Sequence, residues 1–280
     1  MVRRRPLRTK VLMHLGLAPF LLFALFPFYH MTLTSLKTDR ELYDRTAVPL
    51  LIRQGPTLEH YQKLIWETSF LTWTWNSLMV TGIATGVSVV IGTIAAYALA
   101  RLKFVGVGML GTAIFVTYLV PTSLLFLPLA QVVHWIGLAD SKWSLIVTYP
   151  TFLVPFCTWL LIGYFRTVPK EIEECAMVDG ATRIQALWRI VLPIAVPGLV
   201  CAALFAFTLS WNEFIYALTF ISSSDQATAS VGVTQELIRG DIYFWGSLMA
   251  GAVLGSVPIV VLYVFFLDYY VSGLTAGAVK

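Results

Sequence analysis

Charged side chains are scarce in this chain. Asp, Glu, Lys and Arg make up 12% of its 280 residues, whereas soluble domains carry about 25%. Hydrophobic residues make up 58%, and the mean hydropathy is +0.78. The composition therefore excludes an ordinary soluble domain and indicates an integral membrane protein.

Cysteine and histidine are also few. The three cysteines, Cys157, Cys175 and Cys201, are odd in number and lack the spacing of metal ligands, and the four histidines lie in different segments. Neither a disulfide framework nor a metal site is predicted. The net charge of +4 comes from basic residues beside apolar runs, which is typical of membrane topology signals, so no nucleic-acid partner is predicted.

Nucleotide-binding and catalytic motifs are missing as well. The sequence contains no Gly-x4-Gly-Lys-Ser/Thr phosphate-binding loop. It also lacks the clustered His or Asp residues that an enzyme embedded in a membrane would need. We therefore predict that the chain is not an enzyme and binds no cofactor directly, so that any energy for transport comes from a partner.

Long apolar runs are what the sequence does contain. Six of them are long enough to span a bilayer; they cover residues 11–33, 76–100, 104–139, 143–165, 195–221 and 244–267. They predict an all-α integral membrane protein with six transmembrane helices. The basic segment 3–10 and most other basic residues then fall on the cytoplasmic side, together with both termini, whereas segment 34–75 forms the first external loop.

Prolines interrupt several of these runs. Pro121 and Pro128 are seven residues apart and would lie on one face of the third helix, which they can kink. Such a kink can accompany a lined cavity, but prolines are also tolerated in ordinary membrane helices. The sequence does not decide between these two interpretations.

A polar segment, residues 167–197, separates the fourth run from the fifth. Pro169 suits the first position of a helix, and Asp179-Gly180 suits its end. Thr182 can cap a second helix. That helix has apolar residues at helical spacing, which predicts a surface position; they are Ile184, Leu187, Trp188 and Val191. Pro193 and Pro197 are expected to end it.

The polar segment also carries a motif. It reads Glu174-Cys175-Ala176, three residues, Gly180, nine residues, then Ile190-Val191-Leu192-Pro193. This resembles the EAA motif of ATP-binding-cassette (ABC) importer permeases, with Cys175 where alanine is usual. The stretches Asn76-Ser77-Leu78 and Trp211-Asn212-Glu213-Phe214 are similar to the carbohydrate branch of that family, and the six runs resemble its maltose-type inner permease subunit.

The resemblance implies a type I importer permease in the bacterial inner membrane that forms half of a carbohydrate pathway. The expected partners are a second, homologous permease subunit, two copies of a cytoplasmic ATPase that uses ATP and Mg²⁺, an external solute-binding protein, and membrane lipid. The family's ATPase-coupling residues map onto Glu174, Cys175, Ala176, Asp179, Gly180, Ile190, Leu192 and Pro193. Arg183 and Arg189 can pair either with acidic groups of the ATPase or with lipid headgroups.

This scheme divides the chain into three parts. Residues 1–75 hold the N-terminus, the first span and the first external loop; residues 76–268 form the ABC transmembrane type-1 core, with the coupling loop 166–197; and residues 269–280 form a cytoplasmic tail. The alternative function is a secondary transporter that is driven by an ion gradient without an ATPase. Glu213 alone gives that alternative little support, because ion-coupled transporters usually carry several ionisable groups in the membrane.

Glu213 is the single acidic residue within the six apolar runs. With Trp211 and Asn212 it offers an aromatic ring and hydrogen-bonding groups, so the three residues are candidates for the translocation pathway or an outer gate. Alternatively, Glu213 bonds to a neighbouring helix or to the partner subunit and only holds the packing. The sequence does not separate the two roles.

Overall fold

The computed structural model describes residues 7–44, 46 and 48–275. The helices are α1 (Leu7–Ser35), α2 (Asp39–Leu42), α3 (Glu59–Trp66), α4 (Phe70–Arg101), α5 (Val107–Leu119), α6 (Thr122–Trp135), α7 (Lys142–Thr148), α8 (Pro150–Phe165), α9 (Lys170–Val178), α10 (Arg183–Ala186), α11 (Leu192–Trp211), α12 (Ile215–Phe220), α13 (Ala229–Leu237), α14 (Trp245–Phe265) and α15 (Leu267–Thr275). A π-helical turn, Leu187–Val191, joins α10 to α11, and the short strands β1 (Ile238–Arg239) and β2 (Ile242–Tyr243) pair antiparallel.

In the described part of the chain, five helical runs are long and apolar enough to cross a membrane; they are Arg8–Ser35, Phe70–Arg101, Lys142–Phe165, Arg183–Trp211 and Trp245–Phe265. A sixth apolar run consists of α5 and α6. The predicted all-α membrane fold is therefore confirmed. The first, second, fourth and sixth predicted spans each overlap one continuous run, because long apolar sequence specifies such helices directly.

The third predicted span is broken rather than kinked. α5 and α6 meet at an angle of 94°, and the two residues between them, Val120 and Pro121, are extended, with ψ of 123° and 125°. The proline ring clashes with α-helical backbone at the preceding residue, so Val120 leaves the helix and Pro121 precedes a new one. Pro128 lies inside α6 without ending it.

The fifth span begins earlier than predicted, and the expectation that Pro193 and Pro197 end the second surface helix is wrong. The helical run is continuous over Arg183–Trp211. Pro193 lies in the first turn of α11, and Pro197 lies inside α11. The wider π-helical turn just before α11, closed by a hydrogen bond from Leu192 N–H to the Leu187 carbonyl, lets the chain pass a residue that lacks an N–H. The predicted end at residue 221 is also wrong, because α11 stops at Trp211.

The described residues divide into two compact units. The first comprises the chain up to Ser69 and Val233–Val257. In its loop, the Glu41 carboxylate accepts backbone hydrogen bonds from Arg53 (3.0 Å) and Gln54 (3.1 Å) and pairs with Lys37. Burial raises the pKa of Glu41, but these bonds and the lysine charge outweigh burial, so the pKa is lowered. The carboxylate therefore stays charged and holds the loop.

The second unit comprises Phe70–Gly232 and the chain from Pro258 onward. Here α4 packs along α8 and α11, and α11 also contacts α15. Small residues let α4 and α8 approach each other closely: a Cβ placed at Gly92 on α4 would lie 2.7 Å from Cys157 Cβ on α8. The apolar cluster at one end of this unit consists of Ala96, Tyr97, Leu161, Phe165, Leu187, Val191, Ala195 and Ala202. This cluster supports the polar segment that carries the motif.

Candidate functional site

The polar segment folds as α9, a tight turn, α10 and the π-helical turn. Pro169 immediately precedes the first residue of α9, within a residue of its expected place. α9 then ends in a Schellman motif: Gly180 N–H donates to the Met177 carbonyl (3.2 Å) and Ala181 N–H to the Ala176 carbonyl (3.0 Å). Gly180 has φ of +91°, a conformation in which a Cβ is strained. The end of this helix therefore favours the motif glycine.

The second helix starts as predicted. Thr182 and Gln185 form a capping box, in which the Thr182 hydroxyl accepts from Gln185 N–H and the Gln185 side chain accepts from Thr182 N–H. The apolar residues that follow divide between two environments. Leu187 and Val191 are buried in the apolar cluster, whereas Ile184 and Trp188 are 70% and 64% exposed. Only part of the predicted surface stripe is therefore at the surface.

The exposed residues of this segment form what we call the docking face: Ile184 and Trp188 together with Glu174 and Val178, which is 87% exposed. Several large exposed apolar side chains on one segment are typical of a protein contact surface. Of the other motif residues, Cys175, Asp179 and Gly180 are also exposed. Ala176 is buried, so its small size serves packing within this chain.

The remaining motif residues belong to the start of the span rather than to the docking face. Ile190 and Leu192 are partly buried, and Pro193 is exposed in the first turn of α11. Arg183 and Arg189 are exposed on either side of the buried Leu187. The structure thus brings the predicted coupling residues together in one segment, with different surroundings at its two ends.

Sequence reasoning missed the acidic residue next to the motif. The Glu173 carboxylate is buried, accepts a hydrogen bond from the Tyr97 hydroxyl and pairs with Arg101, whose Nε lies 3.2 Å from Oε2. Arg101 also donates to the Val168 carbonyl at 2.8 Å. One signal in the sequence pointed to this: Glu173 and Ala176 are three residues apart and so share a helix face, which would place Glu173 beside a small packing residue.

The candidates near Glu213 are placed differently from the prediction. Glu213 lies outside the helix, in the break between α11 and α12, where its carboxylate accepts from Tyr216 N–H (2.8 Å), Ala217 N–H (3.2 Å) and the Tyr149 hydroxyl (2.9 Å). Trp211 is buried and stacks on Phe207. These contacts favour the packing role over the gating role for Glu213.

Asn212 is the exposed one of the three candidates, and its amide donates to the Thr208 carbonyl at 2.9 Å. The three residues lie at the end of α11, which has 20 residues and begins at the motif. At 1.5 Å per residue, α11 separates the two candidate sites by roughly 30 Å, the thickness of a bilayer core. The docking face and the Glu213 site are therefore on opposite sides of one span.

The loop next to Glu213 is anchored by Asp140. Its carboxylate accepts from the Ser223 hydroxyl and from the N–H groups of Ser223 (2.7 Å) and Ser222 (2.8 Å). These bonds, the Ser223 hydroxyl first, lower the pKa of Asp140 below its usual value. A charged Asp140 thus fixes the segment that follows α12.

We expect Gly180→Val to leave the protein in the membrane but to weaken its hold on an ATPase partner. A β-branched side chain in the left-handed region costs roughly 1–2 kcal/mol, so the Schellman turn distorts and the docking face with it. Asn tolerates that conformation, which makes Gly180→Asn the matched control. Co-purification of the ATPase with each variant measures the effect, and equal recovery with Val and Asn would contradict it.

Apolar spans and a helical segment that exposes a docking face between two of them are typical of a polytopic membrane permease component. The family model for the binding-protein-dependent transport system inner membrane component matches residues 88–275. The chain belongs to this family, and it is an inner-membrane protein.

Relatives extend the match over nearly the whole chain. An inner membrane ABC transporter permease protein of Escherichia coli is 36% identical and covers 97% of both chains. The sulfoquinovosyl glycerol transport system permease protein of Agrobacterium fabrum is 36% identical, covering 91% of this chain and 89% of its own. The trehalose/maltose transport system permease protein of Thermococcus litoralis is 31% identical and covers 99% of both. The predicted resemblance to a maltose-type permease subunit is confirmed.

A solved structure has the same fold. A chain of a bacterial ABC transporter that imports the acidic polysaccharide alginate superposes with a TM-score of 0.77, covering 96% of this chain and 99% of its own, at 19% identity. At that identity the likeness concerns the fold. The predicted ABC importer permease fold is confirmed.

Proposed function

We propose that the chain is one of two permease subunits that form the carbohydrate pathway of an ATP-driven importer. Relatives named for sulfoquinovosyl glycerol, trehalose/maltose, trehalose and diacetylchitobiose transport support a carbohydrate as the solute. The observation that carries the coupling role is the docking face: it has an exposed carboxylate and exposed apolar side chains, and two of these, Ile184 and Trp188, lie on the helical run Arg183–Trp211 that continues into a membrane span. Such a segment can pass force from a soluble partner to a membrane helix.

The partners follow from this arrangement. Two cytoplasmic ATPase subunits bind ATP and Mg²⁺ and hydrolyse ATP, while this chain performs no bond chemistry and binds no cofactor itself. An external solute-binding protein delivers the carbohydrate, and a homologous permease subunit completes the pathway. ATP binding closes the ATPase pair and moves the docking face, and the permease pair then opens outward. The chain's contribution is to stabilise two states differently.

Orientation and domain division complete the proposal. Both termini and the docking face lie in the cytoplasm, which agrees with the basic residues Arg101, Arg166 and Lys170 at the same end of the spans. Residues 1–75 precede the type-1 core of residues 76–268, and residues 269–280 form the tail. Cysteine accessibility to an impermeant reagent, introduced at Gly55 for the external loop and read at the native, exposed Cys175 for the docking segment, tests this orientation.

Reconstitution tests the function. The chain, a candidate partner permease, the ATPase and the binding protein are assembled in proteoliposomes, and uptake is measured for a panel of labelled carbohydrates. We expect uptake that requires ATP, the binding protein and both permeases together. Uptake by this chain alone under an ion gradient would support the secondary-transporter alternative and contradict the proposal. Uptake of other solutes but of none of the carbohydrates would contradict the substrate class.

A further inference from the structure

Four groups near one end of the second unit form what we call the α4–α9 clamp: Tyr97 and Arg101 on α4, Glu173 on α9, and the Val168 carbonyl in the linker before α9. The two carboxylate oxygens have different partners. The Tyr97 hydroxyl donates a hydrogen bond to Oε1, whereas Arg101 Nε lies 3.2 Å from Oε2 in an ion-pair contact without a hydrogen bond. Arg101 donates its hydrogen bond from Nη2 to Val168 O at 2.8 Å. The hydrogen bond and the ion pair together favour one orientation of the carboxylate.

The two clamp residues on α4 are held in place by their surroundings. Tyr97 and Arg101 are four residues apart and therefore lie on one helix face, and Arg101 is the last residue of α4, where a cation also meets the negative end of the helix dipole. Tyr97 packs edge-on against Phe165 within the apolar cluster. The ring is thus held by apolar packing as well as by its hydroxyl.

The burial of a charged pair at this position requires an explanation. The side chains of Arg101 and Glu173 are 3% and 5% exposed, and they adjoin an apolar cluster. Removing two charges from water is costly, and apolar residues of similar volume often hold a fold as well or better. Stability alone therefore does not explain the pair. A buried pair instead specifies one relative position, because any separation leaves a charge uncompensated.

The segment that carries the docking face, from α9 to the π-helical turn, is joined covalently to only two spans. α9 follows α8 through residues 166–169, and α10 continues through the π-helical turn into α11. α4 is distant in sequence, since Tyr97 and Glu173 are 76 positions apart, and it is reached by side chains. We propose that the clamp makes α4 move with α9, so that a displacement of the docking face reaches α4 as well as α8 and α11. This inference rests on the proposed function.

The test uses the complete importer in proteoliposomes and measures labelled carbohydrate taken up per ATP hydrolysed. Glu173→Gln removes the charge and keeps an oxygen that accepts from Tyr97. We expect uptake per ATP to fall by about fivefold or more, the usual size of a coupling between sites, while the ATPase still co-purifies and still hydrolyses ATP. Glu171→Gln is the matched control, since it removes the same charge from an exposed position on the same helix, and it leaves the ratio unchanged.

Two further variants separate transmission from folding. Tyr97→Phe keeps the ion pair and loses one hydrogen bond, so it gives a smaller fall in the same ratio. Arg101→Gln combined with Glu173→Gln is no worse than the more severe single variant, because the two side chains act as one unit.

An unchanged ratio in Glu173→Gln, in an importer whose wild type transports, would overturn the inference. A loss of uptake that only parallels loss of the bound ATPase would also overturn it, since Glu173 would then serve docking. If the wild-type assembly shows no ATP-dependent uptake, the proposed function fails, and the inference fails with it.

Discussion

Gly92→Leu is expected to prevent α4 and α8 from packing, and so to abolish recovery of folded protein. A Cβ at this position would lie 2.7 Å from Cys157 Cβ and 3.2 Å from Thr158 N. Neither atom can swing aside, because a Cβ and a backbone nitrogen move only with their helix. Van der Waals packing between helices is a main source of stability in a bilayer, and overpacking a well-packed site costs about 1–3 kcal/mol or more.

Gly86→Leu provides the matched control for this prediction. It lies on the same helix, and a Cβ placed there meets no described atom of this chain within 4 Å. The yield of monodisperse protein in detergent and the melting temperature measure both variants in the isolated chain. Gly92→Ala should already lower the melting temperature, since the clash begins at Cβ. Equal behaviour of the leucine variants at positions 86 and 92 would show that α4 and α8 do not approach this closely.

Local sequence was sufficient to predict much of the structure of the candidate site. The ends of α9 and α10 follow from single residues whose chemistry allows few alternatives: Pro169 before the first turn, Gly180 at a positive φ, and Thr182 in a capping box. The positions of the continuous spans likewise follow from apolar length. In each case the residues that decide the structure are neighbours in the chain.

Features that depend on several interacting residues were not predictable in this way. The sequence indicated a bend near Pro121, but not whether the helix would bend or stop, because that depends on what α5 and α6 contact. The π-helical turn before Pro193 depends on how Leu187 and Val191 pack against α4 and α8. The pairing of Glu173 with Arg101 depends on the approach of two helices that are far apart in sequence.

Glu213 illustrates how a correct observation led to an incomplete interpretation. An acid in an apolar run is a candidate functional residue, and the sequence placed it within a helix. In the structure the helix ends at Trp211, and the carboxylate accepts bonds from the first turn of α12 and from Tyr149. The break in the helix supplies N–H donors that a continuous helix would not have exposed.

Glu174→Lys is expected to eliminate transport while the chain remains in the membrane. Glu174 is exposed on the docking face, beside the exposed Val178, and Glu173 next to it is buried. In the proposed assembly Glu174 meets a basic group of the ATPase. Disrupting one side of an interfacial charge pair costs about 2–5 kcal/mol, which corresponds to a loss of affinity of roughly 30-fold or more, and a lysine adds repulsion to this loss.

The control is Glu171→Lys, which makes the same charge change at an exposed position one turn earlier on the same face of α9, and so tests whether the effect belongs to Glu174 itself. Retention of the ATPase during purification and ATP-dependent uptake in proteoliposomes measure both variants, and membrane-inserted protein is quantified in parallel. The salt dependence of ATPase binding adds a second measure: it should be steeper for wild type than for Glu174→Gln, because salt screens the long-range attraction of the Glu174 charge for the approaching ATPase. Full uptake by Glu174→Lys, or equal losses in both lysine variants, would remove Glu174 from the contact and leave the apolar side chains of the docking face to account for it.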